Sequence, residues 1–116
     1  MQIRREQMDT LDEHMRKKFE DFMVGHLWEH YAVECEEMGE DQVRDWIRHG
    51  TERAADYEVE AERDVCKYID VMFAFGRDFD RDPSLPWAGE ILTDPRFMDS
   101  RERMDRLTAV ALEHLE

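Results

Sequence analysis

Residues 62–76, Glu-Arg-Asp-Val-Cys-Lys-Tyr-Ile-Asp-Val-Met-Phe-Ala-Phe-Gly, carry apolar side chains around most of the circumference of a helix. A helix of this kind is stable only where other helices cover it on several sides. The closing glycine, Gly76, is typical of a C-terminal helix cap. We therefore predict a helix near 61–75 that lies at the centre of a bundle.

Apolar residues on both sides of this stretch recur at intervals of three and four, which forms one stripe of an amphipathic helix. Gly25 leaves open whether the N-terminal part is one long kinked helix ending near Gly39 or two shorter helices. Gly50 lies inside a predicted helix, where glycine costs ~1 kcal/mol relative to alanine and indicates close contact with another helix. The other helices are predicted over 4–24, 41–57, 86–92 and 100–115.

A segment rich in proline and aspartate interrupts the helical spacing between 77 and 98. We predict an ordered loop here, with Asp94-Pro95 as the cap and first turn of a further short helical piece. Asp99 and Glu102 form a capping box for the last helix. No strand pattern competes, so the prediction is a single all-α domain over 1–116, a compact helical bundle of four to five main helices.

Acidic residues outnumber basic ones by 30 to 16, which gives a net charge of −14. Such a surface repels phosphate backbones, so we expect no nucleic-acid partner. The excess is concentrated in residues 34–64, where twelve Asp and Glu face four Arg. This segment is the best candidate for docking a basic protein, although a charge run more often forms a solvated surface.

The first six residues lack the apolar stretch of a signal peptide, and no segment approaches the ~20 apolar residues that span a bilayer. We therefore expect a cytoplasmic protein with no membrane partner. The two cysteines, Cys35 and Cys66, agree with that compartment. Neighbouring acids disfavour a thiolate, so both are predicted to be small apolar core residues.

The sequence His26-Leu-Trp-Glu29-His30 matches the spacing H-x-x-E-H, in which two histidines bind zinc and a glutamate activates water. A zinc hydrolase is thus the alternative from the enzyme class, with His26 and His30 as weak metal candidates. The motif is short and needs a third protein ligand. Two histidines at this spacing more often lie on a helix surface without binding a metal, so we predict no metal and no cofactor.

The sequence Asp78-Phe-Asp80-Arg-Asp82 begins like a calcium loop, but proline stands where the loop needs glycine. We expect these carboxylates to cap turns and to pair with Arg77 and Arg81. The neighbouring aromatic residues are predicted to pack the loop onto the bundle.

Eight methionines form a further pattern, since flexible thioethers suit an adaptable binding surface. Several share the first helix with two phenylalanines. This stripe is either core or, in part, a groove for a partner helix. Its members are Met8, Leu11, Met15, Phe19, Phe22 and Met23.

Residues 62–76, followed by Asp78-Phe-Asp80, Asp82-Pro83 and Leu85-Pro-Trp-Ala88, resemble small helical proteins encoded in bacterial type VI secretion clusters. Those proteins are encoded beside spike-tip (PAAR) proteins and toxic effectors. The similarity is strongest over 62–92. The resemblance implies an accessory role, as an adaptor or co-chaperone that helps an effector load onto the spike, and it supplies no catalytic residues.

The leading hypothesis is therefore a non-enzymatic protein that binds an effector, a chaperone or a toxin through its acidic segment and the 77–92 loop. An immunity protein, whose acidic surface covers the basic active site of a toxin, is the alternative within the binding class. The oligomeric state stays open. The predicted contact residues are Glu36, Glu37, Glu40, Asp41, Asp78, Phe79, Asp80 and Trp87.

Overall fold

The computed structural model describes the backbone of residues 2–115 and the side chains of residues 13–115. Within this range the protein has six α-helices, one 3-10 turn and no strand, which confirms the all-α class. The number of helices is slightly higher than predicted, because a break at Tyr31 separates a short second helix from the first. The elements are α1 (Gln2–His30), α2 (Ala32–Met38), α3 (Glu40–Asp56), α4 (Glu62–Phe75), the 3-10 turn (Phe79–Arg81), α5 (Pro86–Leu92) and α6 (Ser100–Leu115).

Backbone contacts divide the chain into two units, Met1–Arg44 and Asp45–Glu116. The boundary falls inside α3. The first unit therefore holds α1, α2 and the start of α3, and the second holds the remaining elements. That residues 1–116 form one domain stays a prediction.

The first helix continues through Gly25, so the predicted end near residue 24 is wrong. A glycine inside a helix lowers its stability by only ~1 kcal/mol relative to alanine, and the hydrogen bonds of the surrounding turns offset this loss. The chain breaks instead at Tyr31, with φ −135° and ψ 49°. Gly39 ends α2 with a φ of +83°, a left-handed conformation that favours glycine, as the sequence predicted.

The apolar stripe of α1 divides between the interior and the surface. Phe19 and Met23 are buried, whereas Met15 and Phe22 are 57% and 61% exposed. The side chains of Met8 and Leu11 lie outside the described residues. The stripe is therefore core only in part, and its exposed members form a separate surface.

Helix α4 supplies more of the buried residues of the second unit than any other described element. It packs against α6 and the 3-10 turn, while α5 packs against α6. The apolar circumference of α4 is covered as the sequence predicted, and Gly76 caps its end by donating its N–H to the carbonyl of Met72 at 2.7 Å. The buried residues of α4 are Asp64, Val65, Tyr68, Ile69, Val71, Met72 and Phe73.

Gly50 lies where α3 contacts α4. A Cβ atom at this position would stand 2.6 Å from Sδ of Met72 and 2.8 Å from Cγ1 of Ile69. Both distances are shorter than van der Waals contact, and both neighbours are fully buried. The predicted close helix contact at Gly50 is therefore confirmed, and it explains why a residue with poor helix propensity stands there.

The segment between α4 and α6 is ordered by short-range hydrogen bonds. Asp82 accepts hydrogen bonds from the backbone N–H and the hydroxyl of Ser84, at 2.9 and 2.7 Å. Asp94 accepts from the backbone N–H of Arg96 at 2.9 Å, which makes a turn. The further helical piece predicted after Asp94-Pro95 is therefore wrong, because the chain turns once and leaves the helical path.

At the start of α6 the Asp99 side of the predicted capping box is present, whereas the Glu102 side stays a prediction. The Asp99 carboxylate accepts the backbone N–H of Arg101 at 3.0 Å. This bond satisfies one of the amide groups that a helix N-terminus leaves without a partner.

Replacing Gly50 with alanine tests the α3–α4 contact. We expect Gly50→Ala to lower the free energy of unfolding by about 1–2 kcal/mol, because the strain of overpacking exceeds the gain in helix propensity. Chemical denaturation measures the difference. The exposed Glu52→Ala on the same helix serves as the control and should change the value by less than ~0.5 kcal/mol. A Gly50→Ala protein more stable than the wild type would contradict the contact.

Candidate functional site

The first unit carries an acidic face on α2 and the first turn of α3. All five of its carboxylates are exposed. No Lys or Arg occurs between residues 19 and 43, a stretch that contains eight Asp and Glu. The acidic face consists of Glu34, Glu36, Glu37, Glu40 and Asp41.

Arg44 is the first cationic residue after this stretch, and three carboxylates already hold it. Its guanidinium lies 2.6 Å from Glu20, 2.9 Å from Asp21 and 2.9 Å from Glu40. The hydrogen bonds that the guanidinium donates to the carboxylates of Glu20, Asp21 and Glu40 raise the pKa of Arg44. Because this one positive charge is shared among three acids, it cannot neutralise the rest of the acidic face.

The remaining carboxylates of the acidic face differ in their local contacts. Glu36 accepts a hydrogen bond from the indole Nε1 of Trp28 at 3.1 Å. Glu37 and Asp41 make no ion pair with a described residue, and both side chains are exposed to solvent. The four predicted contact residues of this unit, Glu36, Glu37, Glu40 and Asp41, therefore lie together on one exposed surface.

The acidic segment continues into the second unit, where six further carboxylates are exposed, at 45, 52, 56, 58, 60 and 62. Asp64 differs from them, because it is buried and accepts a hydrogen bond from the hydroxyl of Ser100 at 3.2 Å. Asp64 therefore has a structural role between α4 and α6 and does not belong to the surface that the charge pattern predicted.

Two predicted contact residues of the 77–92 loop are buried. Phe79 is 1% exposed and Asp80 is 6% exposed. The Phe79 ring packs on Tyr68 with a centroid distance of 5.0 Å. Neither side chain can contact a partner in this conformation, which corrects their place in the predicted surface. Only Asp78 and Trp87 of that set have accessible side chains.

Asp80 holds the loop to α3 through buried polar contacts. The hydroxyl of Tyr57 donates a hydrogen bond to Asp80 at 2.7 Å, and the guanidinium Nε of Arg53 lies 3.6 Å away. Burial and the hydrogen bond to Asp80 raise the pKa of Tyr57 to about 12. Arg53 also contacts the exposed Asp78 at 3.3 Å.

Of the two arginines predicted to pair with the loop aspartates, Arg81 makes a long ion pair with Asp80, whereas Arg77 pairs elsewhere. Arg77 pairs with Asp45 at 3.2 Å, and Arg81 lies 4.0 Å from Asp80 and is largely exposed. The main cationic partner of the loop is Arg53 on α3. Sequence reasoning missed it, because local spacing does not reveal which side chains a tertiary contact brings together.

Trp87 lies at a groove between α5 and α6, with a volume of about 690 Å³. Its ring stacks on His114 at 4.9 Å with an interplanar angle of 10°, and the edge of Phe75 lies 5.3 Å away. Trp87 therefore presents a half-buried aromatic surface, as its predicted role in binding requires. The groove is lined by Trp87, Glu90, Ile91, Asp94, Arg96, Phe97, Arg106, Val110 and Glu113.

The histidines of the H-x-x-E-H motif lie on successive turns of α1. The ring centroids of His26 and His30 are 4.6 Å apart, and the His26 ring stacks on Phe22 at 6.0 Å. Glu29 is exposed beside them. This spacing is what any two histidines four residues apart on a helix adopt, so the zinc interpretation stays a prediction.

Neither cysteine forms a disulfide in the described chain. Cys35 is buried, which agrees with a core role, while Cys66 is half-buried. Burial raises the pKa of both thiols, that of Cys66 to about 11. Both are therefore protonated and poor nucleophiles near neutral pH.

Comparison of the chain with protein-family models, with curated proteins and with solved structures found no match. Within the described residues, none of the helices combines the length and the apolar character that crossing a bilayer requires.

Removing the buried carboxylate tests how the loop is held. We expect Asp80→Ala to lower the free energy of unfolding by about 3–5 kcal/mol, because Arg53 and the Tyr57 hydroxyl lose a buried partner. Asp78→Ala is the matched control, since Asp78 also contacts Arg53 but its side chain is 61% exposed. It should cost less than ~1 kcal/mol. Thermal or chemical denaturation compares the two, and equal losses would refute the special role of Asp80.

Proposed function

We propose that this protein is a non-enzymatic accessory protein that binds a basic protein surface through its acidic face. In keeping with the resemblance of residues 62–92, it acts as an adaptor or co-chaperone for a type VI secretion effector in the cytoplasm. The observation that carries the proposal is the set of five exposed carboxylates on α2 and α3, beside which Arg44 is shared among three acids.

Uncompensated charge of one sign favours this role for a physical reason. A cluster of exposed carboxylates produces a long-range potential that attracts a basic partner and raises the rate of encounter. Exposed carboxylates also lose little hydration free energy on binding if each gains a cationic partner at the rim of an interface, where water still reaches it. The acidic face can thus select basic surfaces and reject nucleic acids and acidic proteins.

The Trp87 groove supports a second point of contact on the other unit. Tryptophan and arginine are enriched among the residues that dominate binding energy at protein interfaces. The groove combines the faces of Trp87 and Phe97 with the exposed guanidinium of Arg106. An apolar side chain of the partner therefore fits this groove, while the acidic face supplies charge attraction.

An immunity protein is the second candidate, and the same acidic face favours it. A toxin that cleaves nucleic acid has a basic active site, which a dense set of carboxylates would cover. The two roles differ in the number of partners. An adaptor binds an effector together with a spike or chaperone component, whereas an immunity protein binds one toxin and abolishes its activity.

Charge reversal on the acidic face tests the proposal. The wild type and the Glu37→Lys/Asp41→Lys variant are each purified from the host, and the proteins bound to them are identified by mass spectrometry. We expect the wild type to retain basic proteins that the variant does not retain. With the identified partner in purified form, the association rate should fall about tenfold or more at low salt, because the attracting potential is removed.

The control carries the same change of net charge at other exposed sites, Glu13→Lys/Glu102→Lys. Asp41 and Glu102 both stand in the first turn of a helix, so the two variants alter helix ends alike. The control should retain the partner at nearly the wild-type rate. Equal loss in both variants, or no basic protein retained by the wild type, would contradict the proposed function.

A further inference from the structure

One row of side chains along α1 is exposed to solvent. Residues 15, 18, 22, 25 and 29 are spaced by three and four, so they lie on one ridge of the helix, and all five are exposed. We name them the outer ridge. It contains two large apolar side chains, Met15 and Phe22, which stay 57% and 61% exposed in the described chain although the His26 ring stacks on one side of Phe22.

Gly25 stands in the middle of this ridge without a packing reason in its own chain. Apart from its chain neighbours and the backbone of its own helix, no described atom lies within 4 Å of the position that its Cβ would occupy. Gly50 shows the contrast, because there two buried side chains fill the space. A glycine that weakens a helix and faces solvent is explained if another molecule approaches the backbone at that point.

The charges of the outer ridge are complementary to those of a second copy of the same ridge. Lys18 lies four residues before Phe22, and Glu29 lies four residues after Gly25. In an antiparallel pair of such helices, a single register places Phe22 of each copy on Gly25 of the other and Lys18 of each copy beside Glu29 of the other. A parallel pair would place like charges side by side.

We propose that the outer ridge of α1 is the contact surface between two copies of this chain, paired antiparallel about a two-fold axis. The surface is self-complementary, as a two-fold contact requires, because it carries both a large residue and a matching gap and both charges of an ion pair. The Phe22 ring fills the gap over Gly25 as a knob enters a hole in a helical pair.

Sedimentation equilibrium of the full chain near 0.15 M salt, where repulsion between the two acidic chains is screened beyond ~8 Å, tests the proposal. We expect a reversible dimer of twice the 14.0 kDa monomer mass. Phe22→Glu should raise the dissociation constant about tenfold or more. Met98→Glu, which alters a side chain 93% exposed in the second unit, is the control and should leave it unchanged.

The Gly25→Ala variant distinguishes a contact between two copies at Gly25 from a change in the helix propensity of α1. In the Phe22→Glu background the alanine should raise the melting temperature, because the helix gains propensity and the space is empty. In the otherwise wild-type chain it should raise the dissociation constant, because the methyl group occupies the gap. An unchanged dissociation constant would overturn the proposal.

Charge exchange tests the antiparallel register. Lys18→Glu and Glu29→Lys should each weaken the dimer, and the double variant should restore it, because the pair is re-formed with reversed sign. A chain that sediments as a monomer up to ~1 mM would overturn the proposal and leave the ridge to a different protein. A double variant no tighter than the two single ones would overturn the register and with it the proposed contact.

Discussion

The approach of α3 to α4 at Gly50 is the constraint on which the second unit depends. Gly50 lets the side chains of Ile69 and Met72 pack directly against the backbone of α3. This brings Arg53, one turn later on α3, and Tyr57, directly after the end of α3, within reach of the loop that follows α4. The buried carboxylate of Asp80 then finds its partners there, so the loop and α5 take their places as a consequence.

The buried and the exposed acidic residues of this protein have different roles. Asp64 and Asp80 are buried, and each is held by a hydrogen-bond donor on another element. The carboxylates of the acidic face are exposed, and the neighbouring Arg44 is shared among three acids. Burial with a partner stabilises structure, whereas exposure without compensation leaves a potential that acts at a distance. Only the second group suits recognition of another protein.

The surfaces proposed for binding lie on separate elements and use different chemistry. The acidic face depends on charge, the Trp87 groove on aromatic contact, and the outer ridge of α1 on shape. A dimer formed through α1 would present each of the other two surfaces twice, which strengthens binding to a partner with repeated sites through effective concentration. Such a division suits an accessory protein that brings components together.

Sequence by itself determined the helices and most of their ends, because apolar spacing, capping residues and glycine act locally. The bounds of α5 and α6 and the caps at Gly39, Gly76 and Asp99 follow from neighbours within one turn. Tertiary structure alone decided which members of each pattern are exposed. Periodicity cannot distinguish Phe19 from Phe22, since both belong to one broad stripe, and a count of acids cannot distinguish Asp80 from Asp78. Those differences depend on residues distant in sequence, such as Arg53, that only the folded chain brings near.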